Sequence, residues 1–152
     1  MLSEVAELVR YDRATGLFYA NDGRLLSTRH PAGYVRVKIA GKDVLAHRLA
    51  WFIERGDPPA VIDHINRRRD DNRIENLRRA THSENMCNRG PQSNSTSGVS
   101  GVAMDTRGKK WQAYIKRHGK RVHLGVFDDF FEAVCARKSA ERVYMGEFAP
   151  AA

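Results

Sequence analysis

Val61 to Asn88 reads VIDHINRRRDDNRIENLRRATHSENMCN, and it sets the question of why an acid and a histidine follow a short apolar run. Val61 and Ile62 suit a strand, yet Asp63 and His64 come next, where packing alone would call for further apolar side chains. Burying such groups costs free energy unless a partner or a task compensates. Asn76 follows twelve residues after His64, and Asn85 twenty-one after it. Ile74 and Leu77 read as a second short apolar strand, and Thr81 or Ser83 reads as the cap of a short helix that carries Asn85. The order is strand, loop, strand, helix. Any one of these polar residues alone is more often a strand-end turn or a loop cap; the ordered set is what argues for a site. Asn66, Asn72 and Asn88 read as loop or cap residues.

Upstream of this stretch, Tyr34 to Ile39 (YVRVKI) alternates apolar and basic residues, turns at Ala40-Gly41-Lys42, and returns through Asp43 to Ala46, the pattern of a hairpin. Leu45, Leu49, Phe52 and Ile53 then recur at helical spacing until Gly56-Asp57-Pro58-Pro59 ends the element. Thr15 to Tyr19 reads as a further strand and Ser3 to Val9 as a short helix. His47, in AHRLAW, fits a helix N-terminus or a core hydrogen bond.

Downstream, Gly90 to Gly98 (GPQSNSTSG) has no large apolar residue and reads as a flexible connector. Beyond it, Trp111, Ala113 and Ile115 alternate with Lys110, Gln112, Tyr114 and Lys116, so one sheet face is apolar and the other basic. Lys120 to Phe127 repeats the pattern after a turn at His118-Gly119, with Arg121 and His123 outward, and Gly98 to Met104 supplies a third strand. Asp129 with Glu132 makes a capping-box signature, Ala133, Ala136, Ala140, Val143 and Tyr144 form an apolar stripe, and Gly146 stops the helix.

The 152-residue chain is 41% apolar and 29% charged, the balance of a soluble globular protein, and it has no run approaching a membrane span. MLSEVAELVR lacks the basic start and apolar core of a signal peptide, so a cytoplasmic protein is expected. Cys87 and Cys135 show no CxxC pairing, which argues against a zinc knuckle or a disulfide framework and leaves two reduced, semi-buried thiols. The formal net charge of +8 favours a polyanionic partner. Residues 98 to 127 concentrate it, with Arg107, Lys109, Lys110, Lys116, Arg117, Lys120 and Arg121 against the single acid Asp105.

The run from about residue 33 to 90 resembles the HNH nucleases, the ββα-metal or His-Me finger family, and most closely its phage and intron-encoded homing members. The resemblance implies that Asp63 binds a divalent ion, His64 is the general base, Asn76 orients that histidine and Asn85 completes the metal site. A carboxylate and an amide oxygen are hard donors suited to one Mg²⁺ or Mn²⁺ rather than zinc, and a neutral imidazole can accept a proton from water near neutral pH. Adjacent strand residues face opposite ways, so ligand and base would address a phosphate from two sides. Arg67, Arg68 and Arg73, with Arg69, Arg78 and Arg79 nearby, are candidates to grip the backbone phosphates.

Residues 98–150 resemble the plant ethylene-response-factor DNA-binding domain through Gly101-Val102, Lys110-Trp111, Ala113, Ile115, Leu124-Gly125, Phe127 and the helix ending at Gly146. That family lays its sheet in the major groove, which would turn Lys110, Tyr114, Lys116, Arg121 and His123 toward DNA. Ser100 and Ala103 stand where plant members carry base-reading arginines, and Tyr114 stands in place of an acid, so more reliance on phosphates and a different target are implied.

The expected fold is α+β: a small N-terminal β-hairpin and helix joined to a ββα-metal fold, followed by a three-stranded antiparallel sheet packed on one helix. Residues 1–90 would be the nuclease domain with its core at about 61–90, 91–97 the linker, and 98–150 the DNA-binding domain. The expected activity is metal-dependent hydrolysis of double-stranded DNA by a monomer that nicks, with no membrane and no small-molecule cofactor involved. A noncatalytic DNA-binding regulator is the alternative. An RNA-directed nuclease fits less well, because a sheet suits the major groove of B-form DNA better than that of A-form RNA.

Overall fold

Short apolar alternations fold into small antiparallel sheets. The computed structural model describes residues 1–88, 95–105, 110–117 and 119–149, without the side chains of Met86 and Cys87. Residues 91–94 of the expected connector, His118 of the expected turn, and Arg107 and Lys109 of the basic run lie outside the described residues. The chain divides into two units, Met1–Asn85 and Met86–Ala152. Among the described residues no helix is long and apolar enough to cross a membrane.

The first unit opens with helix α1 (Leu2–Ala6) and a hairpin of strands β1 (Val9–Asp12) and β2 (Leu17–Ala20). Gly16 turns that hairpin at φ +73°, where a Cβ would lie 2.5 Å from the Arg73 nitrogen, so only glycine lets this turn press against residues 72 and 73. Strands β3 (Thr28–Arg29), β4 (Val35–Ile39) and β5 (Lys42–Leu45) form an antiparallel sheet in that order. Val35 and Val37 are buried while Lys38 is exposed, as the alternation required.

Helix α2 (Ala46–Arg55) ends at Gly56, whose N–H bonds to the Phe52 carbonyl at 3.0 Å. Its buried face is rotated from the expected stripe: Ala46, His47, Leu49, Ala50 and Trp51 are inside, and Ile53 is exposed. Arg55 covers the Trp51 ring at 4.9 Å, and His47 lies on the same inward face as Leu49, Ala50 and Trp51.

Strand β6 (Val61–His64) pairs with β7 (Leu77–Ala80), and a 3-10 turn at Ile74–Asn76 leads into β7. Ile74 therefore packs from a turn rather than from the expected strand. Helix α3 (His82–Cys87) follows, and Thr81 caps it reciprocally: Glu84 N–H donates to Thr81 Oγ1 (3.2 Å) and Thr81 N–H donates to Glu84 Oε2 (2.7 Å). One core gathers Phe18, Val37, Leu49, Trp51, Ile62, Ile74 and Leu77.

In the second unit, strands β8 (Val102–Asp105), β9 (Lys110–Arg117) and β10 (Lys120–Phe127) form a sheet with β9 in the centre, and helix α4 (Phe130–Met145) packs on it. Asp129 Oδ1 accepts the Glu132 N–H at 3.1 Å, the expected cap. Ala133 and Ala140 are buried as expected, but Val143 and Tyr144 are exposed, at 76% and 40%. Their places in the interior go to Arg137 and Glu141, 4% and 3% exposed, which pair at 3.0 Å while Arg137 Nη1 donates to the Tyr114 carbonyl (2.9 Å). A Cβ at Gly101 would run into that carbonyl and the same guanidinium. The helix is thus fastened to β9 by a charged strut beside an apolar cluster of Val102, Ala113 and Ala133. Cys135, expected half-buried, is free and exposed.

Candidate active site

The β6–β7 ladder places Asp63 opposite Arg78 and His64 opposite Leu77. Asp63 is 4% and His64 5% exposed, so both are interior groups whose chemistry is set by neighbours rather than by bulk water. Consecutive strand residues diverge, and these two do: Asp63 meets Arg78, while His64 enters an aromatic pocket. Arg78 puts Nε at 2.8 Å and Nη2 at 2.7 Å from the same carboxylate oxygen, Asp63 Oδ2.

The His64 ring lies edge-on to His47, centroids 5.2 Å apart, and 6.0 Å from Tyr34, which also contacts His47 at 5.3 Å. On its other side His64 Nε2 sits 3.4 Å from Asn72 Oδ1. An amide oxygen can only accept, so this contact selects the tautomer protonated at Nε2 and puts the ring lone pair at Nδ1. Burial lowers the His64 pKa below its usual 6.5, against the opposing pull of Asn72 and of the Asp63 and Asp71 charges. The ring is therefore neutral, and able to take a proton, at neutral pH. His47 is pushed lower still, to about 3, first by burial and then by His64 and Arg48. Among the described residues its Nδ1 has no hydrogen-bond partner, so the expected core hydrogen bond is not made there.

Asn76, expected to orient the imidazole, holds the loop instead. Its Oδ1 accepts the Asn66 N–H (3.0 Å), its Nδ2 donates to the Asp71 carbonyl (2.8 Å), and its carbonyl accepts the Ile65 N–H (2.9 Å). Asp71 ties the same loop from inside: it accepts Asn66 Nδ2 at 2.7 Å and the Arg73 guanidinium at 2.9 and 2.7 Å. Those Arg73 bonds, with help from Asn66, hold the Asp71 carboxyl down at about 2. The ring's own partner is Asn72, 1% exposed, whose setting in the sequence suggests no more than a loop or cap; its carbonyl is held by the Tyr11 hydroxyl at 2.9 Å.

The remaining candidates separate by position. Arg73 is engaged by Asp71 and lies 3.4 Å from Glu75, so its charge braces the loop. Arg68 is 71% exposed with Asp70 at 3.6 Å. Arg69 donates to the Ala32 carbonyl (2.7 Å) and stacks on Tyr34 at 4.9 Å. Arg67 occupies the left-handed region at φ +63°. Asn85 is exposed on α3, and only its backbone is tied down, N–H to the Thr81 carbonyl at 3.0 Å; nothing bonds its side chain to Asp63 or His64 among the described residues. Among those residues no three His, Cys, Asp or Glu cluster closely enough to hold an ion, so a metal held here would draw on Asp63, an amide oxygen, water and phosphate, a hard-donor set that fits Mg²⁺ or Mn²⁺.

On the sheet of the second unit, Lys116, Arg121 and His123 are exposed and Tyr114 is half-buried. The register sets Arg121 across from Lys116 and His123 across from Tyr114, with the Arg121 guanidinium 3.5 Å from the Tyr114 ring centroid. Lys110 is drawn to Asp128 at 2.9 Å. Gln112 Nε2 donates to Asp105 Oδ2 (3.0 Å) on the neighbouring strand. This is a basic face with a fixed aromatic–guanidinium pair in its middle.

Residues 44–87 match a family described as HNH endonuclease. No curated protein matches the chain. The match covers α2, the β6–β7 pair and α3, and it supports an HNH nuclease, a hydrolase that acts on DNA.

Proposed function

We propose that this chain is a homing-type DNA endonuclease that hydrolyses phosphodiester bonds with His64 as general base, and that it nicks one strand at each engagement. The observation that carries the reading is the His64 ring: buried, neutral and held at Nε2 by Asn72, so that its basic lone pair is the one at Nδ1. Asn76 and Asp71 keep the 66–71 loop in shape, and with it the arginines at 67 and 68 that would lie along the DNA backbone. A divalent ion, Mg²⁺ or Mn²⁺, held by Asp63 and the Asn85 amide when DNA is bound, would neutralise charge developing at the phosphate and the departing oxygen.

The second unit is read as the positioning module, resembling the ethylene-response-factor DNA-binding domain, with Lys116, Arg121, Tyr114 and His123 toward the duplex. Its basic face supplies phosphate contacts that fix orientation without specifying sequence. Replacing Lys116 and Arg121 together by glutamine should make the log-affinity against log-salt slope shallower by about two, at roughly 0.9 for each phosphate no longer neutralised. Fluorescence anisotropy with a labelled duplex measures it, and an unchanged slope would place the DNA elsewhere.

The nuclease reading is tested with supercoiled plasmid. Relaxation should appear with Mg²⁺ or Mn²⁺, vanish with a chelator, and accumulate open circles before linear product. Plasmid binding without cleavage under either metal would leave a DNA-binding protein that does not cut.

A further inference from the structure

The pair between Asp63 and Arg78 conflicts with a metal on the same carboxylate. The two residues face one another across the β6–β7 ladder, their side chains are 5% and 13% exposed, and the guanidinium directs Nε and Nη2 at one oxygen, at 2.8 and 2.7 Å. A charge-assisted hydrogen bond from Nε and the close ionic contact of Nη2 on one carboxylate oxygen offset its charge much as a bound cation would. A divalent ion added to that carboxylate would meet the guanidinium charge at short range in a poorly solvated setting, where like charges repel strongly. Conversely, withdrawing the guanidinium alone would take from a buried carboxylate the cation that faces it across the ladder, which is costly. The two cations therefore compete for Asp63.

A guanidinium leaves a carboxylate readily only for a group of similar shape and charge, and a DNA phosphate is such a group. The Arg78 side chain keeps 13% of its surface exposed although its Nη2 is buried, so a phosphate laid over the β6–β7 pair would engage it as the guanidinium turns outward. Resting on the reading of Asp63 as metal ligand, we propose that Arg78 is a positioning residue that closes the Asp63 carboxylate in the DNA-free protein and hands it to the divalent ion when a DNA phosphate draws the guanidinium away. Metal and substrate are then taken up together, and the free protein keeps its site shut.

The test is Mn²⁺ binding by the full chain, followed by the electron paramagnetic resonance of free Mn²⁺, with and without a short duplex and with the duplex-only blank subtracted. Wild-type protein should bind Mn²⁺ at least roughly tenfold more tightly with DNA than without, within the usual range of coupling between sites. Arg78→Gln should bind Mn²⁺ roughly tenfold more tightly than wild type in the absence of DNA and lose most of the DNA-dependent gain. Its melting temperature should also rise more on adding Mn²⁺ than that of wild type, because the ion replaces the missing cation, an effect a purely structural arginine would not produce. Should Arg78→Gln not fold, Arg78→Lys, which keeps a cation but not the fork, must still bind Mn²⁺ more tightly than wild type. DNA-free affinity no higher than wild type in the folded variant overturns the handover. Asp63→Asn separates the two levels: if it binds Mn²⁺ as wild type does, the ligand reading fails; if it loses Mn²⁺ while Arg78→Gln matches wild type, only the handover fails.

Discussion

Replacing His64 by alanine should lower the rate of plasmid cleavage by roughly 10²- to 10⁴-fold, the span that a positioned general base contributes, while leaving DNA affinity within about twofold. The expectation follows from the ring's surroundings. Its Nε2 is committed to Asn72, and burial keeps it neutral, so the imidazole makes no ionic contact with DNA whose removal would weaken binding. The Nε2 hydrogen bond is long, at 3.4 Å, so its removal costs less in stability than loss of a short buried bond. Single-turnover cleavage and duplex binding, measured on the same preparation, check it. A variant that cuts at the wild-type rate would remove His64 from the chemistry.

The second large effect concerns stability in acid. His47 titrates at about 3 in the folded protein against an ordinary 6.5. Below 6.5 the unfolded chain takes up a proton that the folded chain refuses, so the stability His47 contributes is complete above that value and is lost progressively as pH falls toward 3. Between about pH 7.5 and about pH 4.5 the loss amounts to roughly 2 to 3 kcal/mol, at about 1.4 kcal/mol per pH unit below the unfolded value. His64, lowered in the same direction, adds to it. His47→Phe keeps a ring against Tyr34 and His64 but cannot take the proton, so its urea stability should decline less over the same interval by about that amount. Parallel pH profiles for the two proteins would show that His47 is not buried as a neutral ring.

Much of this was legible because it is local. The Tyr34–Ala46 hairpin and the Asp129 cap announce themselves through short-range chemistry, and both form, with Lys42 joining the return strand and Ala46 starting the helix; the Asp63-His64 pair stands at the end of β6. Asn72 and Asn76 were harder to separate. Both sit in an irregular loop, DNRIEN, where no period says which amide turns toward the ring, and the answer depends on Tyr11, far earlier in the chain, fixing the Asn72 carbonyl. Arg78 looked like one arginine among six because its partnership with Asp63 is a matter of strand register. The α4 stripe departs from its pattern for a different reason: Arg137 and Glu141, which hydropathy assigns to solvent, satisfy one another and the Tyr114 carbonyl in the interior. That displaces Val143 and Tyr144 outward. The rotated face of α2 has the same character, since a polar residue, His47, is buried there with Leu49 and Trp51 while Ile53 is exposed.

The backbone at Arg67 lies at φ +63°, a conformation a glycine would adopt freely and an arginine adopts at a cost of roughly 1 kcal/mol. Stability alone would place glycine or asparagine there. If Arg67 grips DNA as proposed, a lineage selected only for heat resistance would surrender this arginine before any residue of the His64 pocket, and one selected for activity would keep it. Under that reading the left-handed corner of the loop is where durability and function pull the sequence in opposite directions.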